Sequence, residues 1–127
     1  MPSGLLLCDD LIFASRIAGE ARALGLTVKP ARSLEQLLHF AQQEPPSCVL
    51  VDLAFPGLLL PDLFRSLGEM CKPLPRVVAY GSHVDADSLR SARLAGCDPV
   101  LPRSKFVEEL PRALPQWLAA AAGPKSE

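Results

Sequence analysis

The sequence lacks a surplus of either charge: 13 Lys and Arg stand against 14 Asp and Glu, for a net charge of −1. Without a basic excess there is no general electrostatic hold on nucleic acid or on an anionic membrane. It also lacks paired cysteines. Cys8, Cys48, Cys71 and Cys97 are present, but no two form a C-x-x-C pair, so zinc and thioredoxin-type redox chemistry have no anchor. Long apolar runs are missing too, and none approaches the roughly 20 residues that span a bilayer. The early run Leu5-Leu6-Leu7-Cys8 meets Asp9-Asp10 at once, whereas a signal peptide needs an apolar stretch of about 7–15 residues behind a basic start. No Ser–His–Asp, Cys–His or zinc constellation is apparent. The loop after the first apolar run has no Gly-rich or Ser/Thr-rich cradle such as a flavin phosphate would need. The expectation is a cytoplasmic protein that is not an enzyme and has neither nucleic acid nor membrane as a partner. Unpaired thiols fit that reducing compartment.

What is present reads as one globular domain over residues 1–127. The hydrophobic fraction is 49% and the charged fraction 21%, the balance of a chain that can bury a core and not of a disordered one. Cys8 and Cys48 lie in apolar runs and are read as small core hydrophobes.

Periodicity alternates between strand and helix. Gly4 to Cys8 is a short apolar run stopped by two aspartates. From Leu11 to Leu24 the spacing becomes helical, with Phe13, Ile17, Ala21 and Leu24 on one stripe, and Gly25 ends the helix. Leu26 to Lys29 is a second strand, closed by Pro30, and Ser33 to Gln36 is a capping box opening a second helix. That helix carries Leu34, Leu37, Leu38 and Ala41 on its apolar face, with His39 on its polar face. Cys48 to Val51 is a third strand ending at Asp52, apolar at every position as in a sheet buried on both faces. A third helix opens at Pro61, with Leu63, Phe64, Leu67, Met70 and Cys71 as its stripe.

Arg76 to Tyr80 is a fourth strand, followed by Gly81-Ser82. Asp85 caps a fourth helix with Ala86, Leu89, Ala92 and Ala95 inward, and Gly96 ends it. Pro99 to Leu101 is a fifth strand, and Ser104 caps a fifth helix. Pro111 and Pro115 fall inside that last helix, so a kink or break near Leu110 is expected, because each removes a donor and crowds the preceding turn. Residues 123–127 are expected to fray.

Five strand–helix units with short connections predict an α/β fold: a doubly wound, five-stranded parallel sheet of the flavodoxin-like or CheY-like (βα)5 type. Such folds bind ligands at the carboxyl ends of the strands. Asp9 and Asp10 follow the first strand, Asp52 ends the third, Gly81 and Ser82 follow the fourth, and Arg103 follows the fifth. Three carboxylates at one edge repel one another unless a hard cation joins them.

With these residues in place, the chain resembles a response-regulator receiver domain over about residues 4–118. The residues that carry the likeness are Asp9-Asp10, Asp52, Pro56, Ser82 and Ala95 to Asp98. The resemblance implies that Asp52 is the phosphoacceptor and that Asp9, Asp10, Asp52 and the Ala54 carbonyl hold Mg²⁺. It implies further that Arg103 takes the phosphate-facing cation position and Ser82 or Gly81 the hydroxyl position. Counting from Asp52 gives Ser82, and counting back from Gly96 gives Gly81. The chain also departs from the pattern. Arg103 stands where a lysine is usual, Ser104 where a proline is usual, and Val100 where a switch aromatic is usual.

The resemblance therefore implies a stand-alone signalling domain of a two-component phosphorelay that acts by protein–protein interaction. Its partners would be a histidine kinase or phosphotransfer protein, a downstream protein contacting the fourth helix, fifth strand and fifth helix, and a second copy of itself. The alternative is a phosphorylation-independent pseudo-receiver serving as an interaction or scaffold module. Each site residue also has a plainer role: Asp9 or Asp10 as a helix cap, Asp52 as an ion-pair partner of Arg103, Ser82 as a turn residue, His83 as a solvated loop residue, and Arg90 and Arg93 as a solvated helix face. Trp117 is read as packing or interface.

Overall fold

Why these residues make these elements is plain from the caps and the burial pattern. The computed structural model describes residues 3–119; the expectation of a frayed end at 123–127 lies outside them. The elements alternate without exception: β1 (Gly4–Leu7), α1 (Leu11–Ala23), β2 (Val28–Ala31), α2 (Leu34–Gln43), β3 (Cys48–Asp52), α3 (Leu60–Met70), β4 (Arg76–Gly81), α4 (Ala86–Ala95), β5 (Val100–Pro102) and α5 (Arg103–Ala119). The five strands form one parallel sheet in the order β2-β1-β3-β4-β5. The order reverses between β1 and β3, which opens a crevice at their carboxyl ends.

Helix starts follow the expected chemistry. Asp10, Ser33 and Asp85 cap α1, α2 and α4 through bonds to the N–H groups of Phe13, Gln36 and Ser88. α3 has no side-chain cap and begins instead with a proline in its first turn. Gly96 ends α4 in the left-handed conformation at φ +117°, which costs glycine no Cβ clash.

Helices cover both faces of the sheet. One core packs Leu5, Leu7, Val49 and Val51 against α2, α3 and α4; the other packs Leu6, Leu50, Val78 and Tyr80 against α1 and α5. Every residue of β3 is buried, as an apolar run flanked by two helical layers requires. The second core holds an aromatic stack: Phe106 lies 4.4 Å from Tyr80 and 5.8 Å from Trp117 between ring centroids, and Phe13 meets Tyr80 at 5.4 Å. Trp117 is therefore a packing residue.

Several expectations need correction. β2 runs from Val28 to Ala31, so Pro30 lies inside the strand and does not end it. The strand is at the sheet edge and pairs on one side only, where a missing donor is tolerated. β5 is shifted by one residue, to Val100–Pro102. Leu24 caps α1 and is exposed, and Met70 and Ala86 also face solvent. Most important, α5 is one continuous helix through Pro111 and Pro115. Both prolines lie off the buried stripe of Phe106, Leu110, Leu114, Trp117 and Leu118. Water can serve the carbonyls that lose their donors there, while the buried stripe holds the axis to the sheet.

Candidate functional site

The parallel register brings the chemistry to one edge. Leu7 pairs with Val51, Asp52 with Tyr80, and Gly81 with Pro102. The residues just beyond those positions, Cys8 to Asp10 and Arg103, reach the same rim. A cleft of about 610 Å³ opens there. Asp52, Ala54, Gly81, Ser82 and Arg103 all line it, together with His83. Asp9 and Asp10 do not.

Asp52 is the one buried charged residue among those described, with 6% of its surface exposed. A carboxylate there needs partners, and it has two. Oδ1 accepts the Ala54 N–H at 2.9 Å, and Oδ2 accepts the Cys8 thiol at 3.6 Å. The same Cys8 sulfur lies 3.6 Å from the Asp10 carbonyl, so one thiol proton serves two acceptors. Burial pushes the Cys8 thiol above its ordinary pKa, which keeps it a neutral donor. Ala54 acts on Asp52 through its N–H. Cys8 and Tyr80 are the site residues that sequence reasoning left in the core. Their apolar surroundings in sequence mask the fact that each ends beside the buried acid.

Asp10 has a different set of partners. Its Oδ1 caps α1 at Phe13, 3.1 Å away, and its Oδ2 lies 3.4 Å from Arg103. The Phe13 N–H first, and Arg103 after it, hold the Asp10 carboxyl below the ordinary carboxylate range. Arg103 also lies over the Phe13 ring, 3.9 Å from its centroid, a cation–π contact. The expected plain partner of Asp52, Arg103, is thus engaged by Asp10 and Phe13 instead. Asp9 is exposed.

The three acids do not gather. Among the described residues no group of three His, Cys, Asp or Glu side chains lies close enough to hold a metal ion. Asp52 has both oxygens hydrogen-bonded and Asp10 is turned to Arg103, so the Mg²⁺ ligand set implied by the resemblance is not assembled among the described residues in this arrangement. The mutual repulsion of the acids is relieved here by Arg103 and by hydrogen bonds.

Ser82 and Gly81 play separate parts. Gly81 ends β4, and a Cβ at that position would meet Leu53 at 3.3 Å, so a hydroxyl-bearing side chain has little room. Ser82 supplies the hydroxyl at the cleft; its Oγ accepts the Val84 N–H at 3.3 Å, in the manner of a turn serine. His83 is exposed beside it and His39 is exposed on α2. On α4, Arg90 pairs with Asp87 at 3.6 Å and Arg93 donates to the Val100 carbonyl at 3.4 Å.

No protein-family model matches the sequence, and no curated protein matches it significantly. Solved structures do. A chain in the co-crystal structure of the Saccharomyces cerevisiae phosphotransfer protein Ypd1 with the receiver domain of the response regulator Ssk1 is 16% identical, with a TM-score of 0.78 over 99% of this chain and 94% of that one. The receiver domain of the Francisella response regulator 1452 is 17% identical, with a TM-score of 0.75 over 94% of this chain and 98% of that one. A response regulator from Thermotoga maritima is 18% identical, with a TM-score of 0.77 over 94% and 98%. The chain therefore has the receiver fold, at 16–18% sequence identity to these structures.

Proposed function

We propose that this receiver-fold chain is a signalling module that works through protein–protein contact, without Mg²⁺-assisted phosphorylation of Asp52. The observation that carries this reading is the engagement of Arg103. It sits 3.4 Å from Asp10 and 3.9 Å from the centre of the Phe13 ring, so the residues suited to phosphoryl chemistry satisfy one another. Metal binding through Oδ2 would require Asp10 to give up Arg103. Contact through α4, β5 and α5 fits the exposed Leu94 and the arginines of α4. The partner is a protein: an upstream kinase or phosphotransfer protein, a downstream target or a second copy of the chain. Buried free thiols are in keeping with a cytoplasmic setting. Among the described residues no helix is long and apolar enough to cross a membrane.

A second reading has its own support. Asp52 lines an open cleft with the Ala54 N–H, Ser82 and Arg103 around it, the surroundings of a phosphoacceptor. Intact mass after incubation with acetyl phosphate and Mg²⁺ separates the two. The expected result is no phosphoryl adduct and no saturable Mg²⁺ binding. An adduct on the wild type that is absent from Asp52→Ala would overturn the first reading and establish the second.

A further inference from the structure

We propose that the groove between α3 and α4 receives Leu94 of a second copy of this chain, in a two-fold dimer with its two α4 helices antiparallel. This rests on the reading that the chain works through protein–protein contact; it names one partner and places the contact on the α3 side of α4. The groove has a volume of about 430 Å³. Half-buried Leu53, Leu58 and Leu60 line it between the end of β3 and the start of α3, and Ala95 lines it from α4. Leu59 lines it too and is 62% exposed. Asp87 is its one charged residue, beside Ser88 and Ser91. An apolar floor with a single acid at its side suits an apolar side chain that has a cation next to it.

The chain itself carries that pair. Leu94 is 83% exposed, and Arg90, one turn before it, is exposed as well. Asp87, Ser91 and Leu94 recur at helical spacing on one face of α4, with Asp87 and Leu94 about two turns apart. Setting a second α4 antiparallel about an axis near Ser91 brings each Leu94 to the Asp87 end of the other copy, where the groove opens. The contact is made twice, as an isologous interface requires. Small Ser91 at the axis permits a close approach, since helix separation depends on the side chains at the contact. The charges match in the same arrangement. Arg90 meets Asp87 of its own chain only at 3.6 Å, with both side chains largely exposed. Such a pair is weak, so each member can turn to its opposite in the second copy. Arg93 is engaged by the Val100 carbonyl, which leaves Arg90 as the cation. Strand addition is disfavoured as another route to a dimer. The edge strands β2 and β5 each contain a proline, Pro30 and Pro102, which donates no hydrogen bond to an added strand.

The test is sedimentation equilibrium of the full chain over a range of concentrations. A reversible dimer is expected for the wild type. Leu94→Asp should weaken it at least about tenfold, because a carboxylate would enter the apolar groove. Leu94 is exposed in the single chain, so the circular dichroism of this variant should match the wild type. Asp87→Arg and Arg90→Asp each set like charges across the axis and should each weaken self-association at least about fivefold. Mixed in equal amounts, these two variants should associate with each other more tightly than either does with itself, because opposite charges then face each other between copies. Arg112→Glu, on α5, should leave the dimer intact. A monomer at every concentration overturns the proposal and leaves the groove to a different protein. A dimer unmoved by Leu94→Asp, a mixture no tighter than its components, or a dimer broken by Arg112→Glu overturns it as well. None of these outcomes bears on Asp52, whose phosphoryl adduct would overturn the phosphorylation-independent reading and leave this interface standing.

Discussion

Asp10 carries two roles on one carboxylate: it caps α1 and pairs with Arg103. Its carboxyl is held below the ordinary range chiefly by the Phe13 N–H. A depressed pKa in the folded state stabilises the fold at pH above the unfolded value, about 3.9, and the contribution is lost as pH falls through the folded value. Asp10→Asn keeps a capping side chain and removes the charge. It should therefore lower the urea midpoint near neutrality and flatten the decline below about pH 4, where the two proteins converge. The same substitution frees Arg103 from its acid, so the Arg103 side-chain resonances should shift in the same samples.

At the level of elements, the informative positions are the ends of α4 and the middle of α5. Gly96 sits at φ +117°, and an added Cβ there would meet the Phe64 ring at 3.4 Å. Gly96→Ala should cost about 1 kcal/mol or more, since alanine pays for the left-handed backbone as well as for the contact. Denaturant unfolding measures it, and the slope against denaturant should not change. α5 teaches the opposite lesson. Pro111 and Pro115 by themselves call for a break, and a rule applied residue by residue gives the wrong element. Five buried side chains along α5 outweigh two missing donors on its outward side.

The whole molecule is two cores divided by one sheet, and the α1–α5 core ties the site to the fold. Phe106 is fully buried and touches Tyr80, Trp117 and Phe13. Phe106→Ala should cost about 3–5 kcal/mol, measured by thermal or denaturant unfolding. It should also erase much of the near-ultraviolet dichroism of Trp117 and loosen the start of α5, and with it Arg103 and Ser104 at the cleft. A large-to-small substitution in the other core, such as Leu67→Ala, should lower stability by about 2–5 kcal/mol without disturbing those cleft residues. The contrast between the two variants reports which core positions the site.

How much was legible beforehand follows from the range of the forces involved. Local chemistry wrote the alternation of strands and helices, the caps at Asp10, Ser33 and Asp85, the stop at Gly96 and the apolar β3 that demands cover on both faces. The carboxyl-edge rule then placed Asp52, Ser82 and Arg103 around one cleft, and the structure brings them there. Where each polar group finds its partner was decided in three dimensions. Arg103 could reach Asp10, Asp52 or solvent, and 93 residues separate it from the acid it chose. Cys8 reads as a core hydrophobe until the sheet sets it beside Asp52, 44 residues away. Tyr80 reads as one more strand residue until packing buries its hydroxyl beside Cys8. Periodicity and capping act over a few residues and are visible in sequence. Pairing, desolvation and the register of α5 on the sheet depend on distances that only the folded chain creates.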